Sequence, residues 1–117
     1  MDKERKGGKR FMSQDDVLKI ASNYVRNLKK NGVSVSKAYL FGSYAKNKAS
    51  EHSDIDVCIV SPNLGKDLID EMMELGKYTL SIYARIEPHP MSVADFDEKY
   101  NLLAHEIKTH GILIPVL

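Results

Sequence analysis

The sequence is poor in cysteine, with one among 117 residues, and it contains no tryptophan. The single cysteine, Cys58, lies in the apolar run Ile55–Val60 and cannot form a disulfide within the chain. Because a chain without disulfides is typical of reducing compartments, the cytoplasm is the expected location.

Long apolar runs are also absent, since no stretch approaches the roughly 18 consecutive apolar residues of a membrane helix. The N-terminus is charged and has no apolar segment behind it, so neither secretion nor membrane insertion is expected. A formal net charge of +1 gives no global field for gripping long nucleic acid. The net charge therefore gives no support for a nucleic-acid partner, although it leaves one possible, and any binding of phosphate must depend on local groups.

What remains is an ordinary globular composition, 43% hydrophobic and 28% charged, in a length that suits one domain. Residues 1–12 are polar, basic and contain two glycines, and they predict a flexible N-terminal tail. Residues 13–117 are expected to form the single domain.

The apolar spacing predicts an alternation of helices and strands. Ser13 and the acidic residues after it predict a helix over 14–30. The expected elements after it are a strand over 33–41, a short helix over 43–48, a strand over 54–60, a helix over 66–81, a strand over 82–87 and a helix from about 93 to 110. Residues 112–117 are apolar and are either an edge strand or a surface that docks on a partner.

This order predicts an α/β (α+β) fold, a small mixed β-sheet covered by helices. Pro88 and Pro90 lack amide hydrogens and are expected to stop the third strand, which leaves His89 in a turn. Met72 and Met73 are expected in the core of their helix. Tyr39, Phe41 and Tyr44 are interpreted as packing residues.

Asp54 and Asp56 are the first candidates for chemistry, because residues two apart on a strand project from the same face. Two carboxylates held in that way suit Mg²⁺, which also takes water and substrate phosphates as ligands. Upstream, Gly42 and Ser43 follow the preceding strand, where glycine lets the backbone approach a ligand and the serine hydroxyl and exposed amides can hold phosphate. A phosphate cradle beside a metal site indicates a nucleotide site.

Gly42-Ser43, ten intervening residues and Asp54-Ile55-Asp56 together resemble the signature of the minimal nucleotidyltransferases of the polymerase-beta superfamily. The resemblance covers about residues 15 to 110 and includes the flanking residues of both motifs. It implies that Asp54 and Asp56 hold two Mg²⁺ ions, that Gly42 and Ser43 bind the β- and γ-phosphates of ATP or another nucleoside triphosphate, and that a hydroxyl acceptor receives AMP or another nucleoside monophosphate.

Glu87 is the candidate for the third carboxylate that this family places on a neighbouring strand. Many relatives have aspartate there, so the longer glutamate arm is a departure. A second departure is Lys46, where the family often has arginine; lysine keeps the charge but loses the bidentate fork, and its expected role is to steer triphosphate.

The short chain lacks modules for gripping a large acceptor, which suggests that a partner supplies it. Stand-alone relatives resemble antitoxins paired with HEPN-type ribonuclease toxins, so the resemblance implies transfer of AMP to such a toxin. One alternative is a weak or inactive nucleotide-binding module that neutralises a partner by direct binding. Another is a transferase acting on a soluble metabolite, for which a dimer would have to supply the substrate cleft.

Overall fold

A four-stranded mixed sheet forms the centre of the molecule, as seen in a computed structural model that describes residues 12–116. The elements in chain order are α1 (Gln14–Lys30), β1 (Lys37–Phe41), β2 (Ile55–Val60), α2 (Leu68–Gly76), β3 (Ile86–Met91), α3 (Val93–Asp97), α4 (Leu102–His110) and β4 (Ile112–Ile114). The strand order is β3-β2-β1-β4; β1 is antiparallel to both β2 and β4, and β2 is parallel to β3. The predicted small mixed sheet with helices is confirmed. The predicted N-terminal tail lies, apart from Met12, outside the described residues.

The helix α1 begins and ends where the sequence predicts. The Ser13 side chain accepts a hydrogen bond from the Asp16 amide at 3.1 Å, and acidic residues occupy the first turn. At the other end Gly32 has a positive φ of 90°, and the Val33 amide donates to the Leu28 carbonyl at 3.0 Å. This closing turn uses residue 33, which explains why β1 begins at Lys37 and not at the predicted residue 33.

The sheet is covered on both faces, and the alternation along β2 divides the core into two clusters. Ile55, Val57 and Ile59 lie on the α1 side and are fully buried. Cys58 and Val60 point to the other side and are buried in a second cluster that includes residues of α3 and α4. Asp56 has the same parity as Cys58, so it belongs to the α3 and α4 side, at the end of the sheet.

The prediction that prolines stop the third strand is wrong, because β3 runs through both of them. The Ile55 amide donates to the Arg85 carbonyl and the Ser61 amide to the Met91 carbonyl. The backbone N–H and C=O groups of the odd-numbered residues of β3 therefore point toward β2. Pro88 and Pro90 therefore turn their nitrogens toward the open edge, where no hydrogen bond is lost. Residues 82–85, which were predicted to be strand, form turns.

Of the predicted helices, the one over 66–81 is shorter and runs only over Leu68–Gly76, one is absent and one is split in two. Residues 43–47 form consecutive turns, with Asn47 at a positive φ of 58°, in place of the short helix. The predicted helix over 93–110 is split into α3 and α4, because the Asn101 side chain caps α4 by accepting from the Ala104 amide at 2.9 Å. Tyr100, which falls within that predicted helix, lies in the break and is exposed.

The helix α2 has a largely uncovered apolar face. Leu75 is its one fully buried residue, whereas Leu68, Ile69, Met72 and Met73 are exposed. The prediction that Met72 and Met73 lie in the core is wrong, because α2 packs along the edge strand β3 and against α1 through Leu75, and both methionines are exposed. The C-terminal apolar segment forms the edge strand β4, one of its two predicted alternatives. Between residues 12 and 116, the helices are all too short or too polar to cross a bilayer.

Candidate active site

Strand register brings Asp56, Glu87 and His89 together at one end of the sheet. Asp56 is paired with Glu87 across the parallel strands β2 and β3, and Cys58 is paired with His89. Glu87 and His89 are two apart on β3, so both side chains share the face of Asp56. His89 Nε2 lies 3.2 Å from Asp56 Oδ1 and 3.7 Å from Glu87 Oε1. One ligand atom from each residue lies within 4.8 Å of the others.

Gly42 places the turn after β1 directly against Asp56. Phe41, the last residue of β1, is paired with Asp56, and Gly42 follows with a positive φ of 79°. A Cβ at position 42 would lie 2.3 Å from Asp56 Oδ2, which no side chain can tolerate without movement. Glycine is therefore required here for two reasons, its backbone conformation and the space that it leaves beside the carboxylate.

The turn after Gly42 curls back on itself at Ser43. The Lys46 amide is shared between the carbonyls of Gly42 and Ser43, 3.2 Å from each, and the Lys48 amide donates to the Ser43 carbonyl at 2.9 Å. Gly42 and Ser43 are both partly exposed, so solvent reaches this turn next to Asp56. The two predicted phosphate-binding residues thus lie beside the predicted metal ligand.

Lys46 is already engaged by a helix on the far side of the turn. Its Nζ lies 2.6 Å from Glu106 Oε2 in α4, and both side chains are more than one third exposed. This contact lowers the pKa of Glu106, chiefly through the hydrogen bond from Lys46. A role of Lys46 in steering triphosphate would require it to exchange this partner.

Asp54 has a different environment from Asp56. It lies just before β2, is exposed, and its Oδ1 is 3.5 Å from Nε of Arg85. The Arg85 guanidinium also donates to the Glu51 carbonyl at 3.1 Å and to the carbonyl of His52. Asp54 is therefore held at the margin of the site by an arginine that also fixes the preceding turn.

The electrostatics of Glu87 link all three predicted acids. Its pKa is raised, first by a side-chain hydrogen bond with Asp56 and then by partial burial, whereas the electrostatic interaction with His89 acts in the opposite direction. The negative charges of Asp56 and Asp54 raise it further, so Asp54 lies within electrostatic reach of the cluster. Like charges this close favour a bound cation.

His89 is the site residue that sequence reasoning missed. It was expected in a turn without a task, because Pro88 and Pro90 were expected to end the strand. Interpreted as an edge strand, the same segment would place His89 two residues beyond Glu87 and on its face. The sequence therefore contains the alternation that places His89 beside Glu87, because proline is compatible with a strand at the edge of a sheet.

The residues present fit a divalent cation. Asp56 and Glu87 offer hard oxygen ligands on adjacent strands, the kind that Mg²⁺ takes. Gly42 leaves open the space next to Asp56 Oδ2 that a side chain would fill. Asp56 and Glu87 are the residues that would hold the ion, with Asp54 at the margin.

Comparison with known proteins agrees with this geometry. Residues 22–115 match the sequence model of a family described as polymerase beta, nucleotidyltransferase. The match spans both motifs, the turn at Gly42 and the acids on β2 and β3. No curated protein sequence is significantly similar to the chain.

Solved structures with the same fold include three relevant ones. A candidate nucleotidyltransferase from Sulfolobus solfataricus has a TM-score of 0.63 at 20% identity, covering 86% of this chain and 80% of its own. A toxin–antitoxin crystallised with AMP-PNP has a TM-score of 0.62 at 19% identity, covering 82% and 73%. A toxin–antitoxin MntA-HpeT mutant has a TM-score of 0.56 at 16% identity, covering 91% and 75%. At these identities the similarity is one of fold.

Proposed function

The chain belongs to the polymerase-beta nucleotidyltransferase family, and we propose that it is a magnesium-dependent enzyme that transfers AMP, or another nucleoside monophosphate, to a hydroxyl group of a partner protein. The observation that carries this proposal is the approach of Gly42 to Asp56 beside Glu87. A partly exposed glycine-serine turn next to paired carboxylates suits a triphosphate bound through divalent ions.

In the proposed reaction the acceptor oxygen forms a bond to the α-phosphorus of the triphosphate, and the bond from that phosphorus to the pyrophosphate oxygen breaks. The acceptor loses its proton and pyrophosphate leaves with the electron pair. Bound Mg²⁺ would supply neutralisation of charge on the attacking and leaving oxygens.

The residues of this chain have separate tasks in that reaction. Gly42 and Ser43 bind the β- and γ-phosphates through the turn, and Asp56 and Glu87, with Asp54 at the margin, would hold the divalent ions that carry the triphosphate. Glu87, on the strand next to Asp56, would also accept the proton of the attacking hydroxyl. Since the protein mainly positions charged groups, most of the catalysis comes from orientation.

A protein acceptor is favoured by what surrounds the site. The described part of the chain is one small sheet with its helices, and its four clearest clefts are open to solvent and are not lined by Asp56 or Glu87. An acceptor carried on a macromolecule brings its own binding surface. The two toxin–antitoxin structures with this fold make a toxin the first candidate, and the family resemblance implies one of the HEPN type.

The test is transfer of label from α-labelled ATP with Mg²⁺ to the protein encoded by the neighbouring gene. We expect label on that partner with the wild-type chain and none with the double variant Asp54→Asn, Asp56→Asn. The variant replaces two carboxylates by amides of equal size, so circular dichroism should show an unchanged fold. Equal labelling by the two chains would contradict the mechanism.

A second candidate function is neutralisation of a partner by direct binding, with nucleotide bound but not turned over. The exposed apolar face of α2, which includes Leu68, Ile69 and Met73, favours it, because such a patch marks an interaction surface. Binding of the partner by the double variant, with full neutralisation and no labelling by either chain, would establish this second function.

A further inference from the structure

His89 is restrained both in its backbone and in its ring. It lies between Pro88 and Pro90 in β3, and a residue that precedes proline is restricted to extended backbone. Its ring packs edge-on against Phe41, with ring centroids 4.8 Å apart at 70°. Both the backbone and the ring are thus fixed before any ligand binds.

The fixed ring directs one nitrogen toward the carboxylates. Nε2 lies 3.2 Å from Asp56 Oδ1 and 3.7 Å from Glu87 Oε1, and the side chain is 27% exposed. Neighbouring ligand atoms around a metal of about 2.1 Å bond length lie roughly 3 Å apart, so these separations need little adjustment. Within residues 12–116, no other group of three such side chains converges in this way.

A nitrogen donor changes which ion the site prefers. Mg²⁺ takes oxygen ligands and keeps its water, whereas imidazole favours transition-metal ions. A set of two carboxylates and one imidazole suits Mn²⁺, which accepts both kinds of donor.

We infer that His89 is a metal ligand through Nε2, and that it makes this site bind Mn²⁺ more tightly than Mg²⁺, the ion of the proposed reaction. The inference rests on the proposed function, because it concerns the metal of the same site. Nε2 donates its lone pair to the ion, so the ring proton lies on Nδ1 in the bound state. The hydrogen bond between His89 and Asp56 is then replaced by shared coordination.

The experiment uses Mn²⁺ alone as the probe, without nucleotide or partner. Pulsed electron paramagnetic resonance detects coupling between the Mn²⁺ electron spin and a bound imidazole nitrogen. We expect this coupling in the wild-type chain and its loss in His89→Gln, which keeps a polar side chain on β3. Competition with Mg²⁺ should show that the preference for Mn²⁺ falls by about tenfold in the variant.

His105→Ala is the matched control, because His105 is an exposed histidine of α4 outside the cluster. It should keep the nitrogen coupling and the wild-type ion preference. Because His89→Gln could unfold the edge strand, His89→Asn is measured in parallel, and circular dichroism must match wild type for one of the two.

The outcomes separate this inference from the proposed function. Mn²⁺ bound without nitrogen coupling, or coupling that persists in both folded His89 variants, overturns the role of His89 and leaves the transferase proposal intact. Failure of any divalent ion to bind overturns both. Nitrogen coupling without AMP transfer to any partner supports the ligand and contradicts the transferase.

Discussion

The surroundings of Asp56 and Asp54 differ sharply, although only Ile55 separates these two acids. Asp56 is partly buried among the Gly42 turn, Glu87 and His89, whereas Asp54 is exposed at the start of β2 and paired with Arg85. The difference arises because Asp56 lies on β2, which is paired with β1 on one side and β3 on the other, whereas Asp54 precedes β2. An Asp-x-Asp motif therefore supplies one acid that the sheet fixes and one that depends on a single ion pair.

The largest difference between the two acids should be seen in metal affinity. We expect Asp56→Asn to weaken Mn²⁺ binding by about 100-fold and Asp54→Asn by about tenfold, since loss of an orienting neighbour alone costs 10- to 100-fold. Titration of each nucleotide-free variant with Mn²⁺ measures both values. Equal losses, or a larger loss in Asp54→Asn, would show that the two acids are not distinguished in this way.

The close packing around Asp56 can be broken from the other side, with Gly42→Ala. A Cβ at residue 42 would meet Asp56 Oδ2 at 2.3 Å, and the positive φ adds strain, so we expect a loss of stability of about 2 kcal/mol and a transfer rate at least about tenfold lower.

Gly32→Ala is the matched control for that substitution. Gly32 also has a positive φ, of 90°, but a Cβ there would meet no atom within 4 Å. It should cost about 1 kcal/mol of stability and leave transfer unchanged. Denaturant unfolding and the labelling assay distinguish the two, and an equal effect of both substitutions on transfer would contradict the role of Gly42.

The position of Asp54, the exposed acid of the site, depends on Arg85. Arg85→Gln removes the ion pair with Asp54 and the hydrogen bonds to the carbonyls of residues 51 and 52. We expect KM for the metal–ATP complex to rise about threefold to tenfold with little change in stability, because the ion pair is exposed. Arg26→Gln, at an exposed position of α1, is the control. An unchanged KM in Arg85→Gln would mean that Asp54 needs no support.

The contrast between the acids also shows how far sequence reasoning could reach. Local signals were sufficient for α1, whose cap and first-turn acids depend on neighbours in the chain, and for the alternation of Asp56 with Ile55 and Val57. They failed at Pro88 and Pro90, because a proline is allowed in a strand only where the strand lies at an edge. Whether a strand lies at an edge is a property of the whole sheet. The position of His89 could therefore not be predicted either, because it depends on β3 running through both prolines.

The same limit applies to α2 and to the break before α4. Periodic apolar residues predict a helix, but they do not state whether a neighbour covers it, so Met73 was assigned to a core that does not extend that far. The apolar residues of 93–110 recur at helical spacing, so they predict one continuous helix. The sequence does not show that Asn101 acts as the N-cap of a second helix. Gly42, Ser43, Asp54 and Asp56 could be proposed from the sequence because they lie in two short motifs, whereas the pairing of Asp54 with Arg85 depends on the packing of distant segments.

The smallest expected effect concerns Lys46, which lies in the turn that follows Gly42. Glu106→Gln removes the carboxylate that holds Lys46 Nζ at 2.6 Å, so the ammonium becomes available to triphosphate. We expect ATP affinity to rise about twofold to threefold at low salt and to show no gain at high salt, because exposed charges are screened. Glu74→Gln is the control, since it breaks a similar exposed ion pair with Lys77, 3.0 Å long, on α2. If ATP binds equally well to both variants and to wild type, Lys46 does not contact the triphosphate.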